Sequence, residues 1–578
     1  MNTRIQVRAR DAEGEIRGLP GGFNPLLQRV LLGRGIRDAS ELSLGLADLQ
    51  RPEGLTGLSA AADLLAAAVT EGQDILVVGD FDADGATGTA LAVLALQAMG
   101  CSNVRFRVPN RFEFGYGLTA GLVETLADSP PDLLVTVDSG INCLAGVARA
   151  RELGCCVIVT DHHLPGPTLP VAHAIVNPNC PGDGFPSKSL AGVGVMFYLL
   201  SAVRSALRAR GWFGRRRPEP VLADFLDLVA LGTVADLVPL DRNNRVLVRQ
   251  GLERIRRART RPGLMALLRH GKRDYRFVNA ADLGFAVGPR LNAAGRLEDM
   301  GAGIRCLLSE DPQEAGRLAA QLDELNRQRR DMQEQMQAAA MDQVTELLET
   351  LDRQTLPHAL CLFDEDWHQG VVGLVASRVK DRVHRPVVAF APEQSGSSLL
   401  KGSARSIGGL HIRDALARVD SLQPGLIQAF GGHAMAAGLS LERAALPDFE
   451  STLQAAVDEQ LDGEIPGEVV LTDGEPAASE LTLDNALALE QYGPWGQRFP
   501  EPLFEGRFVV VEDHVVGGSH LKMRVRPAGG DEVLDAIAFG RLPEDLPRRD
   551  GLRLLYRLSV NRWRGAQTPQ LMVERILG

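Results

Sequence analysis

Asp80, Asp82 and Asp84 occupy alternate positions in GDFDADGATG, directly after the apolar run ILVVG. Read as extended chain, their carboxylates project to one side about 6 to 7 Å apart. Each pair then repels by roughly 2 to 3 kcal/mol at an effective dielectric near 20, so the cluster calls for positive charge. An Asp-rich turn with one carboxylate capping a helix that begins near Ala86 accounts for one aspartate but not three. Acidic and imidazole groups recur at the ends of two further apolar runs: Asp138 in VTVDSG, and Asp161, His162 and His163 in VIVTDHH. Asp236 lies in the apolar LGTVADLVPL, where an unpartnered carboxylate is costly and a metal or basic partner is expected. Mixed carboxylate and imidazole donors suit Mn²⁺, with Mg²⁺ as the alternative, better than a thiolate-preferring metal.

The elements that must carry these groups are legible around them. From about residue 74, apolar runs alternate with helical stretches: DILVVGD and TGTALAVLALQAMG, DLLVTVDSG and CLAGVARARELG, then CCVIVTDHH. This is the pattern of a parallel sheet covered on both faces, whose carboxyl edge is where ligands bind. The stretch between Gly316 and Pro357 contains neither Gly nor Pro and predicts one helix of about 50 to 60 Å joining two domains. A second α/β pattern follows, with HALCLFDE and PVVAFAP flanking GVVGLVASRVKDRV. After Pro466 the chain reads as five or six strands, beginning with EVVLTDG, and a small oligonucleotide-binding barrel is expected.

At 578 residues the chain exceeds one hydrophobic core. The expected division is an N-terminal extension over 1–50 packed on the first domain, a catalytic domain over 51–310, a connecting helix over 311–355, a second domain over 356–465, and the barrel over 466–578. No apolar run is long enough for a bilayer span and MNTRIQVRAR lacks a signal-peptide core, so a cytoplasmic, membrane-free protein is expected. The seven cysteines read as reduced and none has zinc-ligand spacing. A net charge of -11 argues against nonspecific coating of nucleic acid; the basic cluster Arg254, Arg256, Arg257, Arg259 and Arg261 reads first as a solvated helix face. On HLKMRVR, Lys522, Arg524 and Arg526 share one strand face and form a plausible backbone track. Arg111, Phe112, Phe114 and Tyr116 offer a cation and aromatic faces for phosphate contact and base stacking.

GDFDADG, VTVDSG, VTDHH and LGTVADLVPL resemble the four motifs of the DHH phosphoesterase superfamily, in the family's order. VPNRFEFGYGL, FPSKSLAGVGV, GPRLNAAGRL, WHQGVVGLVASR, LKGSARS and FGGHAMAAG are similar to the RecJ-type single-strand-specific 5′→3′ exonucleases. The resemblance implies a DHH domain, a DHHA1 domain and an OB-fold domain. It makes Asp80, Asp82, Asp84, Asp138, His162, His163 and Asp236 the metal ligands of a two-ion catalytic site, with Asp161 part of the catalytic motif and holding a histidine in place. Water is the nucleophile in such a site.

The same resemblance assigns substrate contacts to Arg290, Asn292, Arg296, Ser403 and Arg405, the arginines being read in glycine-rich loops. His433, between glycines that permit close backbone approach, joins them with Arg111 and Tyr116. A cleft threading its polymer between two domains would admit one strand and reject a duplex by width. The implied role is DNA recombination and repair, acting on single-stranded DNA as a monomer with a single-strand-binding protein and a helicase as partners. The alternative within the superfamily is a short-oligonucleotide hydrolase or a manganese pyrophosphatase, neither of which has a use for the terminal barrel.

Overall fold

The computed structural model describes residues 5–110, 113–350, 357–394 and 396–577. The chain forms two compact units: residues 9–324 with 471–578, and residues 325–470 with the start of the chain.

In the first of these, five parallel strands lie in the order Val104–Arg107, Ile75–Gly79, Leu133–Val137, Cys156–Thr160 and Ala174–Val176. The middle strands ILVVG, LLVTV and CVIVT are buried at nearly every position, which is why they read as continuous rather than alternating apolar runs. On one face, Leu76, Val78, Leu134, Val157 and Val159 pack against Leu122, Val123 and Val147. Each such side chain contributes roughly 1.5 to 3 kcal/mol by leaving water. The helix Ala83–Ala98 connects the first two of these strands and packs on helices Gly192–Ala209 and Leu226–Ala235.

The same unit contains a closed five-stranded barrel, ordered Phe504–Val516, His520–Pro527, Leu534–Phe539, Ala566–Leu577 and Leu552–Trp563. Along His520–Pro527, Leu521, Met523 and Val525 point inward while Lys522, Arg524 and Arg526 face out, the alternation a half-buried strand requires. EVVLTDG is not a barrel strand: Val469–Thr472 pairs with Gln6–Ala9 in a separate two-stranded sheet. The N-terminal segment holds the chain that leads into the barrel. Arg34, just past the helix Pro25–Leu32, forms a buried ion pair with Asp473 at 2.6 Å and donates from Nε to the Pro500 carbonyl. Leu240 N donates to the Gln497 carbonyl at 2.8 Å.

The other unit holds a mixed sheet ordered Ala429–Gly432, Ala436–Glu442, Leu399–Arg405, Val387–Pro392 and Leu360–Phe363, in which only the last pair is parallel. Phe390 and Phe449 meet edge to face at 5.6 Å in its core. The expected long helix is Pro312–Thr350, 39 residues and so about 58 Å at 1.5 Å per residue. Its Met336, Ala340 and Val344 pack with Val372, Val375 and Val379. Among the described residues no helix is long and apolar enough to cross a membrane.

Candidate metal centre

Strand register brings the acidic groups together. Gly79 is paired with Val137, and Val137 with Thr160, so the next residues, Asp80, Asp138 and Asp161, stand side by side on the carboxyl edge of three neighbouring strands, about 4.8 Å apart from strand to strand. Asp138 takes a positive φ of 59°, which turns the chain sharply off the sheet. Asp236 arrives from elsewhere as the C-cap of helix Leu226–Ala235.

Residues 80 to 84 are not extended throughout. The helix starts at Ala83, three residues before the predicted position, with Asp82 as its N-cap accepting from Asp84 N and Gly85 N at 2.9 and 3.0 Å. Asp84 sits in the first turn and accepts from Gly192 N at 2.6 Å and Val193 N at 3.0 Å, the start of another helix. Two helix N-termini, each with unsatisfied N–H groups and the positive end of the macrodipole, thus converge on carboxylates that would otherwise only repel.

Three sets of donor atoms each lie within 4.8 Å of one another: Asp80, Asp82 and Asp138; Asp84, His162 and Asp236; and Asp138, His162 and His163. Asp138 belongs to two sets and so is placed to bridge them. Asp138 Oδ1 and Asp236 Oδ2 lie 3.0 and 3.4 Å from His162 Nε2. Both oxygens are buried and accept no hydrogen bond among the described residues. Carboxylates and a neutral imidazole converging in this way fit a divalent cation.

The electrostatics agree. Burial, then the charge of Asp82, pushes the Asp84 carboxyl up to about 7 despite its two backbone donors. Asp138 and Asp236 are raised well above the usual carboxylate range by burial and then by Asp84 and Asp82. Asp161 differs. Burial pushes it up, but the hydrogen bond and charge of His163, with N–H groups of Ile141 and His163, outweigh this and hold it low. Its oxygens meet Ile141 N at 2.9 Å, His162 N at 2.7 Å, His163 N at 3.0 Å and His163 Nδ1 at 2.8 Å. Asp161 is therefore saturated within the protein and orients His163, whose own pKa it raises against the pull of burial.

Several positioning residues carry weaker sequence signals. Asn177 and Asn179 donate to the carbonyls of His163 and His162 at 2.9 and 2.6 Å, fixing the turn that presents both rings. Gly192, in AGVGV, is needed because a Cβ there would lie 2.5 Å from Asp138 Cβ. Gly295 lies so close to the aspartate loop that a Cβ would meet the Phe81 carbonyl oxygen at 1.8 Å. Only the glycines next to helical apolar runs hinted at these approaches.

The proposed substrate contacts are placed unevenly. Arg111 and Phe112 lie outside the described residues. Tyr116 reaches the cluster: its hydroxyl donates to the Asp138 carbonyl at 3.0 Å and sits 3.4 Å from His163 Nδ1. GPRLNAAGR is a helix, Gly288–Leu297, rather than a loop, because its Leu291, Ala293 and Ala294 are buried. Arg290 on it is committed to Asp323 at 2.8 Å and to the His270 carbonyl, so its charge is already neutralised. Asn292 Oδ1 accepts from Ala83 N at 2.7 Å, which anchors the start of the aspartate helix rather than leaving that oxygen for substrate. Arg296 stands half-buried in the helix's last turn.

Ser403 and Arg405 lie in the other unit on a strand, not a loop, joined by an Arg405 Nη1 to Ser403 Oγ bond of 2.9 Å. No carboxylate among the described residues pairs with Arg405. His433 is exposed at the tip of the hairpin between Ala429–Gly432 and Ala436–Glu442. The arginine-rich run is structural: Arg254 and Arg261 pair with Asp224 and Asp227, and Arg256 donates to the Val278 carbonyl.

Comparison with known proteins matches residues 74–233 to the DHH family, N-terminal domain, residues 356–459 to the DHHA1 domain, and residues 472–575 to the RecJ OB domain. The chain is 50% identical over 580 residues to the single-stranded-DNA-specific exonuclease RecJ of Escherichia coli K12, covering 100% of both. Two crystal structures of RecJ from Thermus thermophilus resemble it over its whole length. The complex with Mn²⁺ has a TM-score of 0.78 at 30% identity and is covered to 80%; the complex with Mg²⁺ has 0.74 at 28% and is covered to 79%.

Proposed function

Since the chain belongs to the RecJ family of single-stranded-DNA-specific exonucleases, we propose that it degrades single-stranded DNA from the 5′ end by phosphodiester hydrolysis with Mn²⁺ or Mg²⁺ as cofactor. The observation that carries this reading is the convergence of Asp80, Asp82, Asp84, Asp138, His162, His163 and Asp236 in three overlapping donor sets at one sheet edge. The chain of shared donors supports a pair of ions: Asp80, Asp82 and Asp138 would hold one, Asp84, His162 and Asp236 would hold the other, and the set of Asp138, His162 and His163 links the two. When bound, such ions supply Lewis acidity and lower the pKa of the attacking water.

The chain's own residues do the rest. The helix N-termini at Ala83 and Gly192 hold the carboxylates in place before any ligand arrives, so little reorganisation is left for the reaction itself. Asp161 Oδ1, 2.8 Å from His163 Nδ1, fixes the orientation of that ring at the site. Tyr116 locks the Asp138 turn through the backbone carbonyl and offers a ring, 45% exposed, on which a terminal base can stack. No serine or cysteine nucleophile is required.

Substrate contact falls to Tyr116, Arg296, Ser403, Arg405 and His433, supported by the cationic and hydrogen-bonding groups just described. The barrel, with Lys522, Arg524 and Arg526 on one outward strand face, supplies a track for the strand. The domain division follows the catalytic, DHHA1 and barrel segments given above. Recombination and repair in the cytoplasm, as a monomer working with a single-strand-binding protein and a helicase, complete the proposal. A pyrophosphatase or a hydrolase of very short oligonucleotides leaves the barrel over Phe504–Leu577 without a task.

Incubation with Mn²⁺ and 5′-labelled or 3′-labelled single strands, duplex, pyrophosphate or a dinucleotide tests the reading. Mononucleotide release beginning at the 5′ end of single strands is expected; preferential cleavage of pyrophosphate or dinucleotide, or digestion from the 3′ end, would overturn it.

A further inference from the structure

A cavity of about 560 Å³ lies away from the metal cluster, where the N-terminal segment, the helix Arg242–Arg256 and residues 491–493 before the barrel meet. None of the cluster residues lines it. Arg245 does, and only 4% of it is exposed. A buried guanidinium normally finds a carboxylate or several carbonyls. Among the described residues Arg245 has neither ion pair nor side-chain hydrogen bond, and its Nε is buried without a partner. Its one specific contact is the face of Phe499, 4.3 Å from Cζ.

The acidic groups whose charge reaches Arg245 are Glu41 and Asp241, and both serve other donors. Glu41 accepts from Arg37 N and Asp38 N at 2.9 and 3.0 Å. Asp241 accepts from Asn244 N at 2.9 Å and Ser187 Oγ at 2.6 Å. The remaining cation on the wall, Arg249, is neutralised by Glu253 at 2.8 Å and also bonds the Gln491 carbonyl. The wall of the cavity thus includes one buried positive charge that no carboxylate among the described residues pairs. Beside it stand aromatic walls, Phe23 and Tyr492, meeting edge to face at 5.7 Å.

We propose that this cavity binds a phosphate monoester with a planar head, of the class of a nucleoside 5′-monophosphate, with Arg245 contacting the phosphate and the joined pair Phe23 and Tyr492 forming a wall for the base. The volume lies within the roughly 300 to 1,000 Å³ of small-molecule sites, far more than inorganic phosphate fills. Arginine's forked donors match phosphate oxygens, and a base finds a sequence-tolerant surface on aromatic rings. The site requires no metal and does not depend on hydrolysis at the cluster.

Calorimetric titration of the full chain in EDTA with dAMP, deoxyribose 5-phosphate, inorganic phosphate and deoxyadenosine tests this. Saturable binding of dAMP, weaker binding of the two base-free phosphates and none of the nucleoside are expected. Arg245→Gln is expected to weaken dAMP about tenfold or more, the loss of a charge-assisted bond. Tyr492→Ala is expected to weaken dAMP but not inorganic phosphate. Ala39→Phe, which adds a ring at the cavity wall, is expected to block dAMP should Arg245→Gln fail to fold. Asp82→Ala, in the metal cluster, is expected to leave this binding unchanged. Absence of dAMP binding, affinity equal to that of inorganic phosphate, loss in Asp82→Ala, or full binding in Ala39→Phe would each overturn the proposal.

Discussion

Asp84→Asn removes one charge from the crowded sheet edge while nearly keeping the side chain's shape. Burial and Asp82 hold the wild-type carboxyl at about 7, against 3.8 in a free chain. That difference is worth roughly 4 kcal/mol. A carboxyl raised in the folded state costs nothing below 3.8, where both states are protonated; the penalty accumulates as pH rises and is complete above about 7. Metal-free wild type therefore loses this stability between those values, and the asparagine variant does not. Against the gain stands one hydrogen bond. Asp84 accepts from Gly192 N and Val193 N on separate oxygens, and asparagine can accept only one, at a cost of about 1 to 3 kcal/mol. In EDTA the variant should be the more stable by about 1 to 3 kcal/mol above pH 7 and the less stable by a similar amount near pH 4. Urea unfolding of EDTA-treated proteins followed by circular dichroism across this range reads the crossing directly. Excess Mn²⁺ should reverse the order at high pH, because only the wild type gains the full binding energy of the ion. A difference that does not vary with pH, or a variant less stable throughout, would refute the reasoning.

Asp161→Ala should keep the fold but weaken Mn²⁺ binding and hydrolysis by about 10- to 100-fold, because His163 loses the partner that fixes its ring; metal titration alongside activity measures it. Gly295→Ala forces a Cβ into the Phe81 carbonyl and displaces the aspartate loop, so kcat should fall by about 100-fold while circular dichroism shows a folded protein. Asp473→Ala strands Arg34 in a site where both side chains are almost wholly buried and should cost about 3 to 5 kcal/mol, read as a lowered thermal midpoint. Reversing Lys522 and Arg524 to glutamate should weaken binding of long single strands and flatten the salt dependence by about one unit per lost contact, measured by fluorescence anisotropy at several salt concentrations.

The parallel sheet was legible because strands buried on both faces must be apolar throughout, and ILVVG, LLVTV and CVIVT are. The cluster was legible because each of those strands ends in an acid or a histidine, and equal register puts such ends side by side. The helix starts earlier than the sequence predicts because Asp82 is both its N-cap and a member of a donor set, and a sequence does not show one carboxylate serving two purposes. GPRLNAAGR reads as a loop from its glycines, yet it is a helix whose Gly295 serves close packing on the aspartate loop. The tasks of Arg290 and Asn292 depend on Asp323 and Ala83, 33 and 209 residues away, beyond any local pattern. The same holds for Val469–Thr472, whose strand partner is the N-terminus of the chain rather than the barrel.

Divalent cations would join carboxylates and imidazoles from four separate segments. Anomalous diffraction at the manganese edge from crystals grown with Mn²⁺ tests this most directly. Two peaks are expected, one against Asp80, Asp82 and Asp138 and one against Asp84, His162 and Asp236. An active, Mn²⁺-loaded protein whose anomalous signal lies anywhere else would contradict this.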